Sequence, residues 1–256
     1  MTLISIVTGP PRFHGETPWR WWTAGLATLG VMVLFVLCLA AFIGAGLFML
    51  LGQSSFGISD FDKFLQSLSV LQWAVVLSIA GVMAQGLGVM VVWQLSSAGG
   101  ARQVLSLAAA PFGLFGHVVI ALSVVLLLGA FAAGLTAAFP YTGSVQPIQD
   151  FIKSDDWWIA IMPIAVGAPL FEEVLFRGFL FTAIVQSRLG AVGAILITTV
   201  IWALFHTGYV WQEMVIVGTF GFVLGWLVWQ VGSIWPGVLC HAAWNFGVLI
   251  AARWVV

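Results

Sequence analysis

The chain has 256 residues, of which 62% are hydrophobic and only 7% charged, with a formal net charge of -1. Soluble domains carry roughly a quarter charged residues, and no soluble fold of this length hides so much apolar surface, so lipid is the solvent for most of the chain. The balanced charge offers nothing for nucleic-acid binding, and Cys38 and Cys240, which lie in apolar runs without metal-type spacing, read as packing residues.

Residues 1–20 form an irregular segment punctuated by Pro10, Pro11 and Pro18, and Trp19, Trp21 and Trp22 read as an interfacial anchor. A first uncharged apolar run covers about Trp21 to Leu51 and is too long and too late for a signal-peptide core. A second covers about Leu68 to Leu95 and a third about Phe112 to Phe139. The stretch Tyr141 to Asp156 reads as a polar, acidic loop in which Pro147 stops any helix. Four further runs follow: Trp157 to Gln186, Leu189 to His206, Met214 to Gln230 and Ile234 to Ala252. Each is near the ~20 residues that cross a bilayer, and backbone groups in lipid must be satisfied internally, so these are helices. The expected fold is all-α, a polytopic bundle of about seven spans, with one transmembrane domain over 21–256 and the chemistry in 157–252. The expected location is the cell membrane, as a multi-pass protein. Arg12, Arg20, Arg102 and Arg188 fall on one side of this topology and Lys63, Lys153 and Arg253 on the other, an excess of one that puts the N-terminus in the cytoplasm by the positive-inside rule.

Polar groups inside the spans are few. Glu172, Glu173 and Arg177 sit within six residues of the fourth, in Ala168-Pro-Leu-Phe-Glu-Glu-Val-Leu-Phe-Arg-Gly178. Each such group costs about 2.5–3.5 kcal/mol at a bilayer centre and must face the bundle interior or a water-filled cavity. Glu173 and Arg177 are one helical turn apart and can pair, while Glu172 points about 100° away. His241 and Asn245 share a face of the seventh span. Glu172 lies about as far before the Arg188 turn as His206 lies after it, so at ~1.5 Å per residue the two reach similar depth. His117 has no partner in this pattern, and Glu213 reads as a solvated loop charge.

A carboxylate beside a histidine can activate water, and a second histidine with an amide one turn away can stabilise an oxyanion. Those parts suit acyl-bond hydrolysis without a Ser or Cys nucleophile, since Cys240 faces away from His241. Glu172, His206 and His241 are equally a plausible zinc ligand set.

In this order and on separate helices, Glu172-Glu173-x-x-x-Arg177, Trp202-x-x-x-His206 and His241-x-x-x-Asn245 resemble the CPBP intramembrane proteases, which include the Rce1-type CAAX prenyl endopeptidases and the Abi-like proteins. Phe176-Arg-Gly-Phe-Leu180 and Gly232-Ser-Ile-Trp-Pro236 agree, and Trp202 stands where the family often has Phe. The likeness covers about Trp157 to Ala252. It implies an endopeptidase in which Glu172 is the general base with His206, Glu173 supports the site and holds Arg177, and His241 and Asn245 stabilise the oxyanion. It implies a substrate that is a membrane-associated peptide, prenylated or a precursor, with lipid as the other partner. A metal-free, glutamate-type mechanism is the preferred reading, with zinc the alternative. A cavity open to the cytoplasm is implied, whereas the arginine distribution turns His206 towards the outer face. The rival classes are a non-catalytic immunity or scaffold protein of the same fold and a proton-coupled carrier, for which the confinement of the polar set to the last four spans is unfavourable.

Overall fold

The computed structural model describes residues 6, 8–140, 152–206 and 208–254. Most of the predicted acidic loop, including Pro147, lies outside them. Among the described residues the chain is helical and holds no strand, and six helices are long and apolar enough to cross a bilayer. They are α1 (Trp21–Gly52), α2 (Val70–Ser96), α3 (Leu114–Ala138), α4 (Trp157–Val185), α6 (Trp211–Val231) and α7 (Trp235–Trp254). Between them α5 (Gly190–Leu204) has 15 residues. At ~1.5 Å per residue it is roughly 22 Å long, short of a ~30 Å hydrocarbon core. The expected fifth span, Leu189 to His206, is therefore a helix, but one too short to cross that core by itself.

Local sequence explains the boundaries. Ser69 opens α2 with a capping box: its Oγ accepts from the Gln72 N–H and Gln72 Oε1 accepts from the Ser69 N–H. Gly232 closes α6 at φ 74°, the left-handed conformation that only glycine adopts freely, and α7 begins three residues later. Pro236 sits in the first turn of α7, where its missing N–H is harmless.

Helix α4 is the axis of the molecule. Every residue from 173 to 184 is buried, which marks a helix surrounded by others rather than by lipid. In contrast, α1 exposes Leu26, Leu29, Phe48 and Met49, and α3 exposes Leu126 and Leu127. Helix α2 reaches α4 through Gly88, where a Cβ would lie 2.4 Å from the Phe171 ring, the small-residue contact that lets membrane helices approach closely.

Two prolines disturb α4. Its hydrogen bonds widen to the π pattern over Ile161–Gly167 and again over Glu173–Leu180, a feature that often accompanies function. The Ala168 N–H donates to Pro163 O, five residues back. The next residue, Pro169, has no N–H, so the Ile164 carbonyl loses its helical donor.

Of the N-terminal segment, residues 9–20 are irregular while Ile6 and Thr8 are helical, and the segment is packed. Phe13 meets Phe181 and Trp229, with ring centroids 5.3 and 5.9 Å apart. Gln186 and Gln230 donate to Gly15 O and Gly9 O. Trp21 and Trp22 are exposed in the anchor role. Trp19 instead turns inward, packing on Phe179 and donating its N–H to Leu95 O. The opposite end is tied by Gln212 to Phe139 O and by Arg253 to Lys153 O and Asp155.

Candidate active site

Glu172 and Glu173 are adjacent in sequence but separated in environment. The Glu173 side chain is 0% exposed and that of Glu172 is 22% exposed, so only Glu172 meets solvent. Arg177 Nη1 donates to Glu173 Oε1 at 2.9 Å, and Nη2 donates to Gly221 O at 3.3 Å. The guanidinium lies over the Trp202 ring, 4.5 Å from its centroid. A buried charge pair needs such additional bonds to offset its desolvation.

From α7, His241 Nδ1 lies 3.1 Å from Glu173 Oε1. A carboxylate accepts, so the proton sits on Nδ1 and Nε2 faces the other way, 3.9 Å from Glu172 Oε2. Trp202 and Phe220 present ring edges to the imidazole at 5.4 and 5.6 Å and hold it upright. Arg177, Glu173 and His241 thus form a chain in which each group orients the next.

From α5, Trp202 Nε1 donates to Glu172 Oε2 at 2.5 Å, a short, charge-assisted bond. His206 Nδ1 is 3.0 Å from Trp202 O. A carbonyl can only accept, so Nδ1 is the donor, and Nε2 of neutral His206 is left as an acceptor. Asn245 Nδ2 donates to Ile164 O at 2.8 Å. It thereby satisfies the carbonyl that Pro169 cannot reach.

Glu172, His206, His241 and Asn245 line one cavity of about 330 Å³. Glu173 and Arg177 lie behind it. The rim includes Ile152, Tyr209 and Ala252, so the cavity lies towards the end that carries Asp155 and Glu213. His117 is elsewhere, with Nδ1 on Gly113 O and its ring against Phe112. Glu213, read from the sequence as solvated, accepts from the Val210 N–H at the start of α6.

Two residues of the cavity were not singled out from the sequence. Gln85, on α2, lines it and donates from Nε2 to Pro163 O at 2.9 Å. Its signal was a single amide midway along an apolar run. Tyr209 lines the rim; burial, then Glu213 and Glu172, raise its phenol above the usual range, so it remains a neutral donor at ordinary pH. Its only signal was its closeness to His206 in the chain.

Among the described residues no group of three His, Cys, Asp or Glu side chains is gathered as a metal site. Glu172 Oε2 is taken by Trp202 and lies 3.9 Å from His241 Nε2.

Residues 154–247 match the model of a family described as Type II CAAX prenyl endopeptidase Rce1-like. Glu172, Glu173, Arg177, Trp202, His206, His241 and Asn245 all fall within that range. The UPF0177 protein YxdF of Lactococcus lactis subsp. lactis (strain IL1403) is 28% identical over 82 residues, which are 32% of this chain and 44% of that protein. The chain therefore spans less than half the length of this curated relative. No solved structure matches. The resemblance carried by the three motifs stands: the C-terminal part of this chain is similar to the CPBP intramembrane proteases, and it sits in a multi-pass, all-helical membrane protein.

Proposed function

We propose that the protein is an intramembrane endopeptidase that hydrolyses a peptide bond of a membrane-associated substrate, prenylated or a precursor, with water as nucleophile and without a metal. The observation that carries this reading is the division of labour between adjacent carboxylates: Glu172 faces the cavity with His206 and His241, while Glu173 is sealed behind them.

The chemistry follows from those positions. Glu172 takes a proton from a water held also by His206 Nε2, and the water oxygen attacks the peptide carbonyl carbon. His241 is oriented by Glu173 through Nδ1, so its Nε2 faces the oxyanion and donates to it whenever that nitrogen carries a proton. Collapse expels the amine, which recovers the proton from Glu172. Glu173 and Arg177 act as positioning residues. Asn245 stabilises α4 beside the cavity by donating one Nδ2 proton to Ile164 O, and its second Nδ2 proton is left for the oxyanion beside His241.

The test is cleavage of lipidated and membrane-inserted peptides by purified protein in bilayers. Glu172→Gln and His206→Ala should abolish cleavage while the protein stays folded, and a chelator should leave the wild type unchanged. Full activity of Glu172→Gln would sink the assignment. Loss of activity to chelator, restored by zinc, would sink the metal-free mechanism.

A further inference from the structure

A second polar cavity lies at the opposite end of the bundle. It measures about 870 Å³ and is lined by Arg12 and His14 from the N-terminal segment, by Arg102 and Ser106 from the α2–α3 connection, and by apolar residues including Leu107 and Val231. We propose that it binds the phosphate of an anionic phospholipid headgroup, with the apolar wall against the lipid's glycerol and upper acyl carbons.

The first argument is charge. No described carboxylate pairs with Arg12 or Arg102, whereas at the other end Lys63 pairs with Asp60 and Arg253 with Asp155. Glu16 is close in sequence but lines a neighbouring depression. Two guanidinium groups free of carboxylates, facing one cavity, suit a phosphate, which they can hold by paired hydrogen bonds.

The second argument is the wall. Ser106 is the one non-glycine described residue at positive φ, 52°, and it is held there. Its carbonyl accepts from the Ile234 N–H, Ala108 O from the Ser233 hydroxyl, and Leu107 O from the Trp235 indole. Ser106 is 5% exposed, and its hydroxyl finds no partner among the described residues. Such a residue, kept in a sparsely populated conformation with an unused donor, marks a functional position rather than a packing one.

The third argument is place. The cavity lies at the end of the bundle where four arginines collect, and most of its wall is apolar. A soluble anion has no use for that wall, whereas a phospholipid presents phosphate and hydrocarbon at this depth.

The experiment is native mass spectrometry of the full chain in detergent, titrated with phosphatidylglycerol, phosphatidylcholine or inorganic phosphate. Wild type should bind phosphatidylglycerol at least about tenfold more tightly than phosphatidylcholine. The double variant Arg12→Gln/Arg102→Gln should lose that preference, and Arg188→Gln, at the same end but outside the cavity, should keep it. Both altered arginines are exposed, so folding is not at risk; an unchanged thermal midpoint verifies it. A double variant that keeps the preference overturns the site. So does an equal loss in Arg188→Gln, which would mean diffuse surface attraction. Displacement of the lipid by inorganic phosphate at equal concentration overturns the lipid as ligand.

Discussion

At the scale of single residues, the two glutamates should separate stability from chemistry. Glu173→Gln leaves Arg177 as a buried charge without its counter-ion, which costs about 3–5 kcal/mol. Its thermal midpoint in detergent should fall sharply. Glu172→Gln keeps the Trp202 bond through the amide oxygen and should unfold close to wild type while losing cleavage. A reversal of the two phenotypes would refute the assignment of base and support. Trp202→Phe retains the ring under Arg177 but removes the donor to Glu172. With one charge-assisted bond lost, worth about 1.5–3 kcal/mol, turnover should drop at least about tenfold, with a smaller effect on stability. An unchanged rate would show that the indole N–H has no part in holding the carboxylate.

At the scale of elements, the consequential feature is the break in α4. If Asn245 compensates for Pro169, then Asn245→Leu should destabilise the protein by about 1–3 kcal/mol, the cost of an unsatisfied buried carbonyl. Pro169→Ala supplies an N–H in the chain itself and should recover most of that loss in the double variant. Thermal unfolding of the four members of the cycle measures the coupling, and simple additivity would disprove it. The same break shows where sequence reading stops. The spans were legible because charge and length declare them, and the pairing of Glu173 with Arg177 followed from one helical turn. That Glu172 and His206 line one cavity is in keeping with their equal depth about the Arg188 turn. The π stretches were not legible, because widened hydrogen bonding depends on which carbonyls neighbouring helices can satisfy. The donors for those carbonyls, Gln85 and Asn245, lie 78 and 81 residues away from their acceptors. Nor was the inward turn of Trp19, which is partly buried, legible: tryptophan suits both an interface and a core, and only the Leu95 carbonyl decides between them.

At the scale of the whole molecule, the ends are chemically unlike. Arg12, Arg20, Arg102 and Arg188 lie at one with Glu16, and Asp60, Asp62, Asp155, Asp156 and Glu213 lie at the other with Lys63, Lys153 and Arg253. Cysteines placed at positions 20 and 188 should therefore react with an impermeant maleimide from the same side of the membrane, and cysteines at 155 and 213 from the opposite one. The arginine excess predicts that the first pair is cytoplasmic. Labelling of positions 188 and 213 from one side would contradict the topology. The short helix α5 gives this arrangement a further meaning. Because it ends at Leu204, some 15 residues in, a bilayer matched to the longer helices would extend past its end, with His206 and Tyr209 at that depth. A bilayer that meets polar side chains there would thin beside them. The proposed hydrolysis would then need no conduit bored through the bundle: a membrane made shallow beside Glu172 would let water and an unwound stretch of substrate arrive through the same hollow.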